Sequence, residues 1–109
     1  MHHRSYLLFI MSIEIKVTRV HDKASVSVAR PTALGNPFVM HTEADRDAVC
    51  DAYSVWFNEM VYRKDPAVMD QLRQLYRLGK TQGYLKLGCH CAPKRCHADT
   101  IARFLQQYF

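Results

Sequence analysis

Within the twelve residues Gly88-Cys89-His90-Cys91-Ala92-Pro93-Lys94-Arg95-Cys96-His97-Ala98-Asp99 the chain places three cysteines, two histidines, two cations and one carboxylate. Three kinds of chemistry fit that crowding. A strand, a loop and a helix in succession would aim backbone N–H groups and a helix N-terminus at an anion, with Lys94, Arg95 and His97 adding charge at the mouth. Alternatively, Cys89, Cys91 and Cys96 with His97 (or His90) form a zinc ligand set, and Cys89 and Cys91 would share one face of a strand. Adjacent ligands at Cys96 and His97 strain that geometry, and the usual zinc spacings are absent. The third reading makes Cys91 a nucleophile whose thiolate is stabilised by the helix and its basic neighbours. Plain burial of the small apolar thiols is the bland alternative to all three.

His90-Cys91 and the five residues after it resemble the loop of cysteine phosphatases, but His97 stands where that loop needs an arginine. His97 with Asp99 is the better acid–base candidate, because a histidine beside a carboxylate can move a proton or orient a ligand. Asp99 also suits the positive first turn of a helix with no catalytic role. A second constellation lies upstream in Arg30-Pro31-Thr32-Ala33-Leu34-Gly35-Asn36-Pro37-Phe38. Gly35 permits a positive φ, and Pro37 holds Asn36 extended. Such a loop would present Asn36 and Arg30 with little entropy left to lose, and arginine matches phosphate with its fixed fork of donors. The expected ligand-binding residues are therefore Arg30, Gly35, Asn36, Lys94 and Arg95, and the expected catalytic ones His97, Asp99 and Cys91.

The elements that must carry these residues follow from periodicity. Ile13, Ile15, Val17 and Val20 nearly alternate with polar residues, and Ala24–Ala29 alternates again, which predicts a hairpin or two adjacent strands. Arg30–Met40, with two prolines and a glycine, cannot be a regular element. Thr42 caps a helix whose stripe is Val49, Tyr53, Trp56, Phe57, Met60 and Val61. Asp65-Pro66 starts another, facing inward with Met69, Leu72, Leu75 and Tyr76 and closed by Gly79. Residues 84–91 read as a third strand and 98–108 as a last helix. The order β-β-α-α-β-α predicts a small α/β layered fold, a short, mostly parallel sheet against helices. In such sheets ligands bind beyond the carboxyl ends of the strands, where both constellations fall.

A chain of 109 residues, 49% of them hydrophobic, is one domain with a sizeable core. Residues 1–12 read as a leader or upstream extension and 13–109 as the domain. The run Tyr6–Met11 is far short of a membrane span and is followed by no small-residue cleavage site, so a cytoplasmic protein without membrane contact is expected. Three cysteines within eight residues are not spaced as a secreted disulfide framework, and Cys50 sits inside a helical pattern as a small apolar residue. Charge is lopsided. Residues 1–62 carry six Lys/Arg against seven Asp/Glu, whereas 63–109 carry nine against three. A basic half draws phosphate-bearing ligands or nucleic acid, and equally serves as a solvated face.

The two motifs in this order, Arg-Pro-x-x-Leu-Gly-Asn-Pro-Phe and then Cys-x-Cys-x-Pro-x-x-Cys-His-x-Asp, resemble a small phage and bacterial family that is a domain of unknown function. The likeness runs from Val17 to Phe104, with His90 standing where an aromatic such as tryptophan would be expected. The resemblance implies a cytosolic, phage-type protein, and by position it singles out Arg30, Gly35, Asn36, Pro37, Cys91, Cys96, His97 and Asp99. The function expected from the residues is binding of a nucleotide-like or phosphate-bearing molecule, with cleavage of a glycosidic or phosphate bond if there is catalysis. The rival is a non-catalytic module that docks nucleic acid or a host protein, its Cys/His cluster structural or zinc-bound. A single-stranded binder would also need exposed aromatics such as Tyr76 and Tyr84 among the basic residues.

Overall fold

A computed structural model describes residues 13–109; the leader reading of residues 1–12 lies outside them. Three strands, β1 (Glu14–Arg19), β2 (Val26–Ser27) and β3 (Tyr84–Cys89), form a parallel sheet in the order β1-β3-β2. Three helices follow the expected order: α1 (Arg46–Tyr62) and α2 (Pro66–Gln82) between β2 and β3, then α3 (Ala98–Gln106). The α/β class and the β-β-α-α-β-α order are those read from the sequence.

β3 is the middle strand, and its burial explains its composition: Leu85, Leu87, Gly88 and Cys89 are all buried. The pairing of β1 with β2 expected from their alternation does not form, because β3 lies between them. Arg19 pairs with Cys89 and Val26 with Leu87, so the link from β1 to β2 must cross the end of β3. It crosses at Gly88. A Cβ there would sit 3.0 Å from the Cα of Val20 and 3.1 Å from the Ser25 hydroxyl. Local periodicity cannot foresee a crossing of this kind, since it depends on a residue sixty positions later.

The helix starts follow the sequence more closely. Thr42 and Asp45 make a reciprocal capping box on a short 3-10 turn, Glu43–Asp45, that leads into α1. Asp65 accepts from the Val68 N–H at 3.1 Å, with Pro66 at the first helical position. The end of α2 differs. It runs on to Gln82 and stops at Gly83 in the left-handed conformation (φ 83°). Gly79 lies inside the helix instead, where a Cβ would meet the Phe109 ring at 2.8 Å.

Tyr53 and Phe57 of α1, Leu72 and Leu75 of α2, and Ile101 and Leu105 of α3 close over Leu85 and Leu87 as one core. Tyr53 also spends its hydroxyl, donating to the Leu34 carbonyl at 2.7 Å and so tying the upstream loop to α1. No helix among the described residues is long and apolar enough to cross a membrane.

Candidate functional site

Beyond the carboxyl ends of β2 and β3 the chain leaves the sheet in two irregular loops, one from Ala29 to His41 and one from His90 to His97. Each holds a cis peptide bond, Arg30–Pro31 in the first and Ala92–Pro93 in the second. Between them, with the start of α1 as the third wall, lies a cavity of about 280 Å³. Arg30, Arg46 and Arg95 line it with Asn36, His90 and His97, the four cysteines, and an apolar wall that includes Phe38, Met40 and Val49. No carboxylate is among the lining residues.

The upstream loop is held by α2 as well as α1. Gln71 accepts from the Leu34 N–H at 2.8 Å and donates to the Ser27 carbonyl at 3.4 Å, while Ala29 and Thr32 close successive turns. Asn36 Oδ1 accepts from the Phe38 N–H at 2.9 Å, and its Nδ2 donates to the Val49 carbonyl at 3.3 Å. One polar end of Asn36 therefore closes a turn within the loop and the other braces it against α1. Gly35 does not take a positive φ. Its reason is contact: a Cβ there would lie 2.7 Å from the Arg30 backbone nitrogen and 2.8 Å from the Arg30 Cα. The turn folds back on Arg30 and fixes where that side chain begins.

The three arginines differ in their engagement. Arg46 donates through Nε and Nη2 to both Glu43 oxygens at 2.7 and 2.9 Å, and through Nη1 to the Arg95 carbonyl at 2.8 Å. Its remaining reach is towards the Cys91 thiol, and these partners push its pKa further up. Hydrogen bonding to Arg46, helped by Lys94, holds Glu43 down to about 2. Arg95 is bound to Asp47 at 2.9 Å and Asp51 at 2.7 Å, both on α1. Lys94 pairs with Glu43 at 3.4 Å. Arg30 is exposed at the cavity edge, and no hydrogen bond or ion pair engages its guanidinium among the described residues.

The second loop turns its donors inward. His97 is buried, and its Nε2–H donates to the Val28 carbonyl at 2.7 Å, since a carbonyl can only accept. Nδ1 then faces Cys89 Sγ at 3.9 Å, and the ring sits edge-on to Tyr53 at 4.9 Å. Cys96 first, then His97 and the Cys91 backbone, favour the ionised form of the Cys89 sulfur. Against the opposing effect of burial, these groups hold Cys89 down to about 4, from an ordinary 9.0. Cys96 goes the other way, pushed up by Cys89 and by burial.

Over residues 13–107 the chain matches the model of a family described as Domain of unknown function (DUF4326). The chain belongs to the DUF4326 family. No curated protein and no solved structure matches it. The DUF4326 match takes in every element of the site, from β1 to the last turn of α3.

Of the residues picked from sequence, Arg30, Asn36, Arg95, His97 and the cysteines do meet around one cavity in this DUF4326 chain. Asp99 lies outside its lining and does not orient His97. Its Oδ2 accepts from the Cys96 N–H at 3.2 Å, the plainer first-turn role. At the start of α3 the Cys96 N–H is taken by Asp99, and the Asp99 and Thr100 N–H groups close the first turn on the Cys96 and His97 carbonyls. The ligand set Cys89, Cys91, Cys96 and His97 is not assembled either. Among the described residues no three such side chains are gathered to hold a metal ion. β3 ends at Cys89, so Cys91 leaves the strand and turns to Arg46, while His97 commits Nε2 to Val28. Tyr76 stacks on Phe109 at 5.1 Å and is half-buried, which removes it as a free stacking platform.

Sequence reasoning missed Arg46, Gln71 and Tyr53. Arg46 had a signal: it is the lone cation among Glu43, Asp45 and Asp47 at a helix start, three residues from its partner Glu43.

The low Cys89 pKa gives stability a pH dependence. In the folded chain Cys89 is ionised where an ordinary thiol is not, so its contribution is complete above pH 9 and is lost as pH falls towards about 4. Cys96 acts with opposite sign above that window. The urea midpoint of the wild type relative to Cys89→Ser is therefore expected to rise with pH from about 4 to 9. A difference that stays flat across this range would contradict the assignment.

Proposed function

We propose that this chain binds a small phosphate-bearing molecule of the nucleoside-monophosphate class in the cavity between the two loops. The observation that carries the reading is Arg30, a guanidinium with no protein partner among the described residues, at the edge of a cavity lined by three arginines and no carboxylate. A dianionic phosphate fits the fork of Arg30 and meets the residual field of Arg46 and Arg95. Phe38, Met40 and Val49 offer the apolar surface that a base or sugar would cover. The volume of about 280 Å³ suits one nucleoside and one phosphate better than a dinucleotide. The proposal is a binding one, because His97 and Asp99 spend their polar atoms on Val28, Cys89 and Cys96.

The test is a thermal-shift screen of inorganic phosphate, nucleosides and nucleoside monophosphates. A ligand at about a hundred times its Kd stabilises the fold by roughly 2.7 kcal/mol, several degrees for a domain of this size. Monophosphates are expected to shift the melting temperature more than either phosphate or nucleoside alone. Equal, negligible shifts from all three classes would overturn the reading.

A further inference from the structure

Phe38 borders the cavity with 39% of its surface exposed, and it stacks on no other aromatic ring among the described residues. The backbone that carries this ring is nonetheless fixed. Its own N–H donates to Asn36 Oδ1 at 2.9 Å, and Asn36 Nδ2 donates to the Val49 carbonyl of α1 at 3.3 Å. Pro37 between them removes further freedom. A ring held in this way loses little entropy when a flat molecule covers it. The same loop brings Phe38 and Arg30 to one cavity of about 280 Å³. At Gly35 it passes so close that a Cβ would lie 2.8 Å from the Arg30 Cα, which holds the limb leading to Phe38 against the one that starts at Arg30. One small molecule can therefore meet both side chains. The amide and the other two guanidinium groups at the cavity are already engaged: Asn36 as above, Arg46 by Glu43 and the Arg95 carbonyl, and Arg95 by Asp47 and Asp51. His97 gives Nε2 to Val28. His90, exposed at the rim, is the remaining imidazole, without a hydrogen bond among the described residues. An imidazole donates or accepts according to its tautomer, so it meets the edges of adenine and guanine equally.

We propose that the cavity takes purine nucleoside monophosphates, with the base stacked on Phe38 and recognised by its face, so that adenine and guanine are accepted alike. This rests on phosphate binding at Arg30 and specifies the other end of the molecule. Every base has a π-face, and the two fused rings of a purine cover more of Phe38 than the single ring of a pyrimidine. The phosphate contact at Arg30 is the same for all monophosphates and selects none of them. A sugar phosphate would satisfy Arg30 and leave Phe38 uncovered. Phe38 therefore sets which phosphate-bearing molecules bind well, although it touches no phosphate.

The experiment is calorimetric titration of the full chain with AMP, GMP, CMP, UMP, adenosine and ribose 5-phosphate. AMP and GMP are expected to bind within about threefold of each other, the pyrimidine monophosphates more weakly, and ribose 5-phosphate roughly tenfold or more below AMP. Phe38→Ala should bring AMP down towards ribose 5-phosphate, which itself should bind variant and wild type alike. Phe38→Trp should keep or tighten AMP binding, whereas Phe38→Leu, equally apolar but without a ring, should not; this separates stacking from simple apolar cover. Because Phe38 is exposed, the urea midpoints of these variants should stay close to wild type. A preference of about tenfold or more between AMP and GMP, pyrimidine monophosphates as tight as purine ones, or unchanged AMP affinity in Phe38→Ala would each overturn the proposal. The two readings fail separately. Ribose 5-phosphate as tight as AMP would keep the phosphate site and remove the base site. Adenosine as tight as AMP, and weakened by Phe38→Ala, would do the reverse. Absence of binding by all six compounds would overturn both.

Discussion

His97→Ala is expected to lower the stability of the fold by about 3 kcal/mol, measured as the loss in urea unfolding free energy at neutral pH. The size follows from three losses at one buried position. The Val28 carbonyl, which accepts from Nε2 at 2.7 Å, is left without a donor next to a fully buried Val28 side chain. An unsatisfied buried polar group costs about 1–3 kcal/mol. The space of the ring is left empty beside Tyr53, whose own ring is fully buried and 4.9 Å away. Cys89 also loses the partner at Nδ1 that helps keep its sulfur ionised. His97→Gln, with an amide able to reach the carbonyl, should recover part of the loss. A drop below about 1 kcal/mol in His97→Ala would show that Val28 is served by another donor.

Gly35→Ala is the second large effect, expected at about 2–3 kcal/mol with a loss of ligand affinity that exceeds what stability alone explains. The added methyl would meet the nitrogen, Cα and Cγ of Arg30 at 2.7, 2.8 and 2.9 Å. Two of these are backbone atoms, so the clash cannot be relieved by swinging a side chain. The loop must open, but Thr32, Leu34 and Asn36 are pinned to Ala29, to Gln71 and Tyr53, and to Val49 respectively. Relief therefore comes by displacing Arg30, the residue that carries the proposed phosphate contact. Urea unfolding and calorimetric titration of the same sample separate the two effects. A variant as stable as wild type would mean that the loop is softer than its bracing implies.

The parts of the fold legible in the sequence were those fixed by local chemistry. Thr42 with Asp45 and Asp65 with Pro66 marked two helix starts because capping is decided within four residues. The strand order was not legible, because it rests on Gly88 letting a distant segment cross β3. Gly79 misled for a similar reason. Its neighbour is Phe109, thirty residues away, whereas the turn-former was Gly83. At the site, residue types picked out Arg30, Asn36, Arg95, Cys91 and His97, which all border one cavity. What each residue does there was not readable. Arg95 and Asn36 could be assigned to α1 only once Asp47, Asp51 and Val49 were known to face them. Asp99 looked like a partner for His97 by spacing, yet one helical turn brings its carboxylate back to the Cys96 N–H. Sequence spacing counts candidates; the hydrogen bonds already spent decide which remain.

That leaves Arg30 as the decisive residue, and calorimetric titration of a nucleoside monophosphate into wild type and Arg30→Ala is the most direct measurement. Arg30 is exposed and unpartnered among the described residues, so its truncation should leave the unfolding midpoint nearly unchanged. Losing a charge-assisted contact to phosphate costs about 1.5–3 kcal/mol, so binding should weaken roughly tenfold to a hundredfold. The matching nucleoside, which lacks the phosphate, should bind both proteins alike. Equal monophosphate affinity in the two proteins would contradict the site. So would binding that appears only with polynucleotide and falls steeply with salt, which would favour a nucleic-acid docking surface instead.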